Sequence, residues 1–286
     1  MRIWITGGSG QLGSELRQID LPYRCVFTDE NVDLTDFRSV DRFLFETKPQ
    51  IIVNCAAYTA VDKAESEREA AIRLNCDAVE YLARKGVEQG IYLIHISTDY
   101  VFDGQGSAPY REGSPTNPAT FYGLSKLKGE QALFASGVHG AIIRTSWLYS
   151  RFGSNFVKKI IRLAKEKKEI QVVDDQIGNP TYAGDLAKAI ATVLERPKKK
   201  GLHLYHYSNE GVASWYDFAY EIVDVMEISC RVRPVDSKAY PTAAKRPPYA
   251  VMNKAKIKRE FGLDIPHWRH SLRRFVRKYR LAEEKR

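Results

Sequence analysis

The chain is poor in cysteine: four in 286 residues, at Cys25, Cys55, Cys76 and Cys230, with no Cys-x-x-Cys pair. Buried free thiols in a reducing cytoplasm are therefore expected rather than a disulfide framework. No apolar run approaches the length of a membrane span, and the first residues read directly as a strand, so neither a membrane partner nor a secretory leader is expected. There is no internal repeat and no low-complexity linker. Metal ligands are short of partners. His203 and His206, three apart on a strand, point to opposite faces. His267 and His270 share a helix face but lack a carboxylate or Cys companion, so no metal site is read. The net charge of +9 would suit an anionic ligand. Its densest run, Lys198 to Lys200, lies between Pro197 and Gly201 and reads as a solvated loop. Much of the rest falls between Arg269 and Arg286 on an amphipathic helical pattern, and no nucleic-acid partner is expected.

What is present begins at the N-terminus. Arg2 to Thr6 is a short β-branched, apolar run that stops at Gly7-Gly-Ser-Gly-Gln-Leu-Gly13. A helix pattern follows. A side chain at Gly7, Gly10 or Gly13 would obstruct the tight turn, the approach of a pyrophosphate or the helix–strand contact, and the helix start offers unpaired N–H groups to phosphates. A Walker-type loop would need Lys after the last glycine, and Ser14 stands there. The turn reads as a dinucleotide site.

Alternating segments continue the pattern. Strands are predicted at Arg24–Thr28, Ile51–Ala57, Ile91–Ile96, Ala141–Ser146, Ile170–Val173 and His203–His206. Helices are predicted at Phe37–Thr47, from a capping box Ser66-x-x-Glu69 to about Gln89, and at Phe121–Ala135, Phe152–Lys168, Ala183–Glu195 and Trp215–Met226, with a last one after Pro266. This is an α/β fold, a doubly wound parallel Rossmann-type sheet with a smaller mixed α/β substrate domain. The large domain is expected to take residues 1–149 and about 170–206, the smaller one about 150–169 and 207–286. Asp29, ending the second strand, lies about the right distance beyond the glycines to bind adenosine ribose hydroxyls, which favours NADH; a loop aspartate or helix cap is the competing reading.

Tyr122-Gly-Leu-Ser-Lys126 carries the chemistry. Side chains four apart share a helix face. A tyrosine working near neutrality is handicapped by a reference pKa of about 10. An ammonium roughly 4 Å away contributes on the order of 4 kcal/mol, which would lower that pKa by about three units. Tyr81 and Lys85 have the same spacing by accident, since Tyr81 falls mid-helix where a core aromatic with a solvated lysine is the better account. Tyr122 lies beyond the carboxyl end of the fourth strand, where Ser97 or Thr98 offers a hydroxyl to a carbonyl.

Together these features resemble the extended short-chain dehydrogenase/reductase superfamily. Within it, Ser97-Thr-Asp-Tyr-Val-Phe-Asp-Gly104, Tyr122-Gly-x-Ser-Lys-x-x-Gly-Glu130, Arg144-Thr-Ser-Trp-Leu-Tyr149 and Asp175-Gln-x-Gly-x-Pro-Thr181 resemble the dTDP-4-dehydrorhamnose reductase family. The similarity runs from residue 1 to about 200 and more thinly to Asn253. It implies a catalytic set of Thr98, Tyr122 and Lys126, with NADPH or NADH held by Gly7, Gly10, Gln11, Leu12 and Gly13. Asp33, Leu34, Ala56, Ala57 and Tyr58 would flank the adenosine half. Thr59, Val61, Tyr100 and Trp147 would face the sugar of a dTDP-sugar substrate; Asn155, Gln176 and Thr181 would lie near its nucleotide. It further implies a cytoplasmic enzyme, with a homodimer and a magnesium ion as family options. Another nucleotide-sugar ketoreductase or epimerase, or a regulatory subunit without activity, are the alternatives. One departure stands out: the family's Arg-Pro-x-x-Ser-x-Leu reads Arg246-Pro-Pro-Tyr-Ala250-Val-Met252 here, losing a hydroxyl.

Overall fold

The computed structural model describes residues 1–198 and 200–283; Lys199 of the basic run and residues 284–286 of the basic tail lie outside the described residues. Alternation begins at once: β1 (Arg2–Thr6), α1 (Gln11–Leu16), β2 (Arg24–Phe27), α2 (Phe37–Thr47), β3 (Ile51–Asn54), α3 (Arg68–Ile72), α4 (Ala78–Gln89), β4 (Tyr92–Thr98), α5 (Phe121–Ser136) and β5 (Gly140–Thr145). The chain continues through β6 (Leu148–Tyr149), α6 (Phe156–Glu166), β7 (Glu169–Val173), β8 (Ile177–Gly178), β9 (Thr181–Tyr182), α7 (Ala183–Glu195), β10 (Leu202–His206) and β11 (Ala213–Ser214). It ends with α8 (Trp215–Val225), β12 (Arg231–Val235), α9 (Ala255–Phe261) and α10 (Trp268–Glu283).

Six strands form one sheet in the order β10-β5-β4-β3-β1-β2, every pair parallel. Parallel strands need cover on both faces. One face buries Ile3, Ile5 and Val53 against Leu12, Leu16, Leu186 and Ile190 of α1 and α7. The other buries Trp4 and Ile52 against Val40, Leu44, Val79 and Leu82 of α2 and α4. The strand order reverses between β1 and β3, so the crevice outside their carboxyl ends is the expected ligand position in such a sheet. The glycine turn and Ala56 both open there.

Three expectations are corrected. The strand at residues 170–173 does not join this sheet: β7 pairs in parallel with β12, Ile170 opposite Val232. Ile170, Val172 and Tyr182 share a second core with Tyr149, Ile160, Phe218 and Trp268. That stretch therefore packs in the second core, while α9 buries Ile257 and Phe261 in the large core. Periodicity reports that a strand is half-buried, not which sheet buries it. The helix from Ser66 to Gln89 is also broken. Ser66 Oγ donates back to the Lys63 carbonyl at 3.1 Å instead of capping, and Arg73–Asp77 is a π-helical turn. Finally, all four cysteines are free but half-buried rather than buried.

The π turn has a use. It brings the buried Asn75 out of register so that its side chain accepts from Tyr58 N (2.9 Å) and donates to Tyr58 O (3.0 Å) and Ser125 Oγ (2.9 Å). The segment after β3 and the helix α5 are thereby tied to one amide. A Cβ on Gly129 would sit 2.2 Å from the Asn75 carbonyl oxygen. Ala in place of Gly inside a helix ordinarily gains about 1 kcal/mol. Here the backbone clash reverses the sign. Gly129→Ala is expected to lose about 1–3 kcal/mol, read as a lower urea midpoint at unchanged slope; a raised midpoint would mean that α5 and the π turn are not in tight contact.

Candidate active site

Close backbone approach builds the glycine-turn end of the candidate site. Gly7 has a φ of 62°, and a Cβ there would lie 2.8 Å from Ala56 N. A Cβ on Gly13 would lie 2.3 Å from the Gly7 carbonyl oxygen, so α1 begins directly on the turn. Gly10 precedes α1 without a capping side chain, which leaves the first N–H groups of Gln11, Leu12 and Gly13 available to an anion. Asp29 accepts from Ser9 N at 3.1 Å, bracing the turn from β2. Asp33 caps its own loop through Thr35 N at 2.8 Å, and Thr35 together with Arg73 holds its carboxyl below the usual range. Leu34 is core. Ala56, Ala57 and Tyr58 are half-buried along the far wall, with the Tyr58 hydroxyl on Glu67 at 2.6 Å.

The reactive end lies at the carboxyl end of β4, which extends through Thr98 rather than stopping at Ile96. Thr98 Oγ1 donates to Asp99 Oδ1 at 3.0 Å and accepts from Tyr100 N at 3.2 Å. Opposite it, α5 starts with Thr120 as its cap. Gly123 lets the helix approach so closely that a Cβ would be 2.2 Å from the Tyr100 carbonyl oxygen. Tyr122 meets Tyr100 edge-on, centroids 5.6 Å apart. Burial pushes the Tyr122 phenol up to about 12, with the Thr98 hydroxyl drawing it down and Asp99 adding to the rise. The expected three-unit depression by Lys126 is thus corrected. The ammonium turns away from the phenol, donating to the Ile96 carbonyl at 2.7 Å and meeting His95 Nε2 at 3.2 Å. Lys126 is 1% exposed, and burial lowers its pKa from 10.5 to about 8 against the pull of Glu130 and Cys55. Tyr81, by contrast, stacks on Phe37 at 4.0 Å while Lys85 pairs with Asp41 at 3.0 Å, as an accidental match should.

The residues assigned to the substrate side fall into separate settings. Thr59 is exposed and Val61 half-buried, on a loop whose Asp62 forms a two-point ion pair with Arg246 (3.1 and 2.6 Å). Trp147 takes a φ of 46°, a strained backbone for an aromatic residue that costs on the order of 1–3 kcal/mol. Its ring stacks on Trp215 at 3.6 Å and fills the space that a Cβ on Gly178 would need. Asn155 caps α6 and donates to Gln11 Oε1 at 3.0 Å, joining the smaller unit to the glycine turn. Gln176 donates to Ser237 Oγ at 2.8 Å. Among the described residues, Gln176 Oε1 and the fully buried Thr181 hydroxyl have no hydrogen-bond partner. Ala250 and Met252 are buried, packed where a hydroxyl would need a partner.

Several residues here were not singled out from sequence. Asp99, 2% exposed with an unpartnered Oδ2, is pushed up to about 7 by burial. Glu130 and Arg144 form a buried cluster with Ser97, whose hydroxyl the sequence had offered to a carbonyl and which instead donates to Glu130 Oε1 at 2.5 Å; Arg144 Nη2 meets Glu130 Oε2 at 2.6 Å. His95, Asn54, Asn75 and Trp215 complete the surroundings. Their signal, a polar residue inside an apolar run, was present for His95, Asn54 and Arg144.

A family model described as the RmlD substrate binding domain matches residues 1–281. The chain is 41% identical over 286 residues to dTDP-4-dehydrorhamnose reductase of Sinorhizobium fredii, covering 96% of this chain and 97% of that one. It is 40% identical over 286 residues to a probable dTDP-4,6-dihydroxy-2-methyloxan-3-one 4-ketoreductase of Streptomyces antibioticus, covering 96% and 94%. The crystal structure of dTDP-4-dehydrorhamnose reductase from Bacillus anthracis in complex with NADP superposes with a TM-score of 0.93 at 38% identity, covering 97% of this chain and 99% of that one.

The buried lysine gives a direct test. In the ligand-free protein Lys126 is expected to titrate near pH 8, followed by NMR of the lysine ε-methylene groups with Lys126→Met for assignment. Because the folded pKa lies below the unfolded one, its burial penalty persists below about 8 and is relieved as pH rises toward 10.5. Titration at the ordinary lysine value would refute this account of the burial.

Proposed function

The chain belongs to the dTDP-4-dehydrorhamnose reductase family, and we propose how its residues carry the reduction that membership assigns. It is an NAD(P)H-dependent oxidoreductase of dTDP-rhamnose synthesis, reducing dTDP-4-dehydro-β-L-rhamnose to dTDP-L-rhamnose for surface polysaccharide. The observation that supports the residue assignment is Tyr122 against the Thr98 hydroxyl at the carboxyl end of β4, with Lys126 one turn along α5 on the Ile96 carbonyl, beside the crevice of the glycine turn.

When bound, the cofactor supplies a hydride to the C4 carbonyl carbon. The glycine turn's cradle, too tight for a Cβ at Gly7 or Gly13, fits a pyrophosphate lying on the backbone. Thr98 orients the ketone oxygen and Tyr122 protonates it as negative charge develops. A phenol at about 12 stays protonated at neutral pH. An alkoxide is a stronger base than a phenolate, so proton transfer to it from Tyr122 is downhill. In the reductive direction a depressed tyrosine pKa is unnecessary. Lys126 holds the nicotinamide ribose, and Trp147 presents an apolar face to the pyranose. Asp29 disfavours a 2′-phosphate, while the Bacillus anthracis relative carries NADP, so both cofactors enter the test. A cytoplasmic homodimer is part of this reading; among the described residues no helix is long and apolar enough to cross a membrane. No group of three or more His, Cys, Asp or Glu among them could hold a metal ion, and no step is routed through magnesium.

A second reading concerns the sugar. The Streptomyces antibioticus relative is as similar as the reductases, and the loss of the family hydroxyl at Ala250 touches the substrate side. Purified protein with dTDP-4-dehydro-β-L-rhamnose is expected to oxidise NADPH or NADH in an absorbance assay. Tyr122→Phe should lower kcat by about 10²–10⁴-fold with a smaller change in KM. Higher kcat/KM on another dTDP-4-keto sugar would favour the second reading. Absence of turnover from protein that still binds both nucleotides would leave a regulatory subunit.

A further inference from the structure

His95 sits mid-strand in β4 at 0% exposure, an expensive place for an imidazole unless both ring nitrogens are answered. Both are. Nε2 lies 3.2 Å from Lys126 Nζ and Nδ1 lies 3.1 Å from Asn54 Nδ2. Asn54 Oδ1 in turn accepts from Thr6 Oγ1 at 2.7 Å, and Ala56 N donates to the same hydroxyl at 3.3 Å. The chain Lys126–His95–Asn54–Thr6 thus crosses β4, β3 and β1 inside the sheet. It ends on the residue before Gly7.

The chain is closed at its far end. Asn54 and Thr6 are each 1% exposed, so this end lies inside the protein. Burial and the neighbouring ammonium both hold the His95 pKa well below its usual value; the ring is neutral. A neutral imidazole has one N–H and one lone pair, and an ammonium can only donate. Beside charged Lys126 the lone pair must therefore be on Nε2 and the proton on Nδ1. That tautomer requires the Asn54 amide turned half-way round from the orientation above, its oxygen to His95 and its NH2 to Thr6, whose hydroxyl then accepts from Asn54 and from Ala56 N.

We propose that His95 is a positioning residue for Lys126: its Nε2 lone pair, with the Ile96 carbonyl, aims the ammonium, and its other nitrogen ties that aim to the strand end carrying the glycine turn. The inference rests on Lys126 serving the cofactor. The charged or titratable groups around the ammonium are Glu130 on its own helix, Cys55 after β3 and His95 on β4, and only His95 both accepts from it and reaches the glycine strand.

Two experiments test it. In wild-type protein with ¹⁵N-labelled histidine, His95 is expected as the neutral Nδ1–H tautomer at every pH at which Lys126 is charged. An imidazolium, or an Nε2–H tautomer beside a charged lysine, would overturn the proposal without any variant having to fold. In kinetics, His95→Leu removes the acceptor, and the alkaline limb of the NAD(P)H KM profile should move down by about one pH unit or more, with kcat at neutral pH falling less than KM rises. His95→Gln, which restores an acceptor, should recover most of the shift. A folded His95→Leu protein with an unmoved limb, or a His95→Gln protein no better than Leu, overturns the proposal. Lys126→Met separates the two levels: if it leaves cofactor KM and its pH limb unchanged, the assigned role of Lys126 fails; if it abolishes the limb and His95→Leu does not move it, the inference about His95 alone fails.

Discussion

Burying the Lys126 ammonium costs several kcal/mol unless its charge and its N–H groups are answered, and much of the surrounding structure supplies those answers. The Ile96 carbonyl and His95 take two of its hydrogen bonds. Glu130, one helical turn onward, supports the charge, and that carboxylate is itself held by Arg144 and Ser97. The result is a lysine whose pKa has fallen to about 8 yet whose direction is fixed. Strand β4, helix α5 and strand β5 are joined through it and Glu130.

The second constraint is closeness of backbone. Gly7 and Gly13 bring β1, Ala56 and α1 together; Gly123 and Gly129 bring α5 against Tyr100 and the π turn. None of these contacts tolerates a Cβ, and each acts on a wall of the same crevice. The precision of the site thus comes from rigid elements rather than from long side chains reaching into a loop. The smaller unit is attached differently. Asn155 on Gln11, Ser150 on Glu15 (2.6 Å), Arg246 on Asp62 and the buried Ser271 on Asp185 are polar contacts.

The strained Trp147 lies where these two regimes meet. Its backbone sits in the left-handed region, its ring is held by Trp215, and Gly178 gives it room. Held in this way, the indole keeps one orientation.

Local pattern in the sequence determined the strand–glycine–helix entry, the parallel sheet, the spacing of Tyr122 and Lys126 and the accidental nature of Tyr81 and Lys85. These are properties of neighbours along the chain, set by periodicity, backbone sterics and helix geometry. It could not decide that β7 leaves the large sheet for β12, since a half-buried strand reads alike in either. Nor could it decide the π turn at Asn75, whose cost is met by α5 more than fifty residues away. The raised Tyr122 pKa, the turning of Lys126 toward His95 and the closed chain to Thr6 depend on burial and on partners from three different strands. Such quantities are set by which distant groups share a low-dielectric space, and only the tertiary structure decides that.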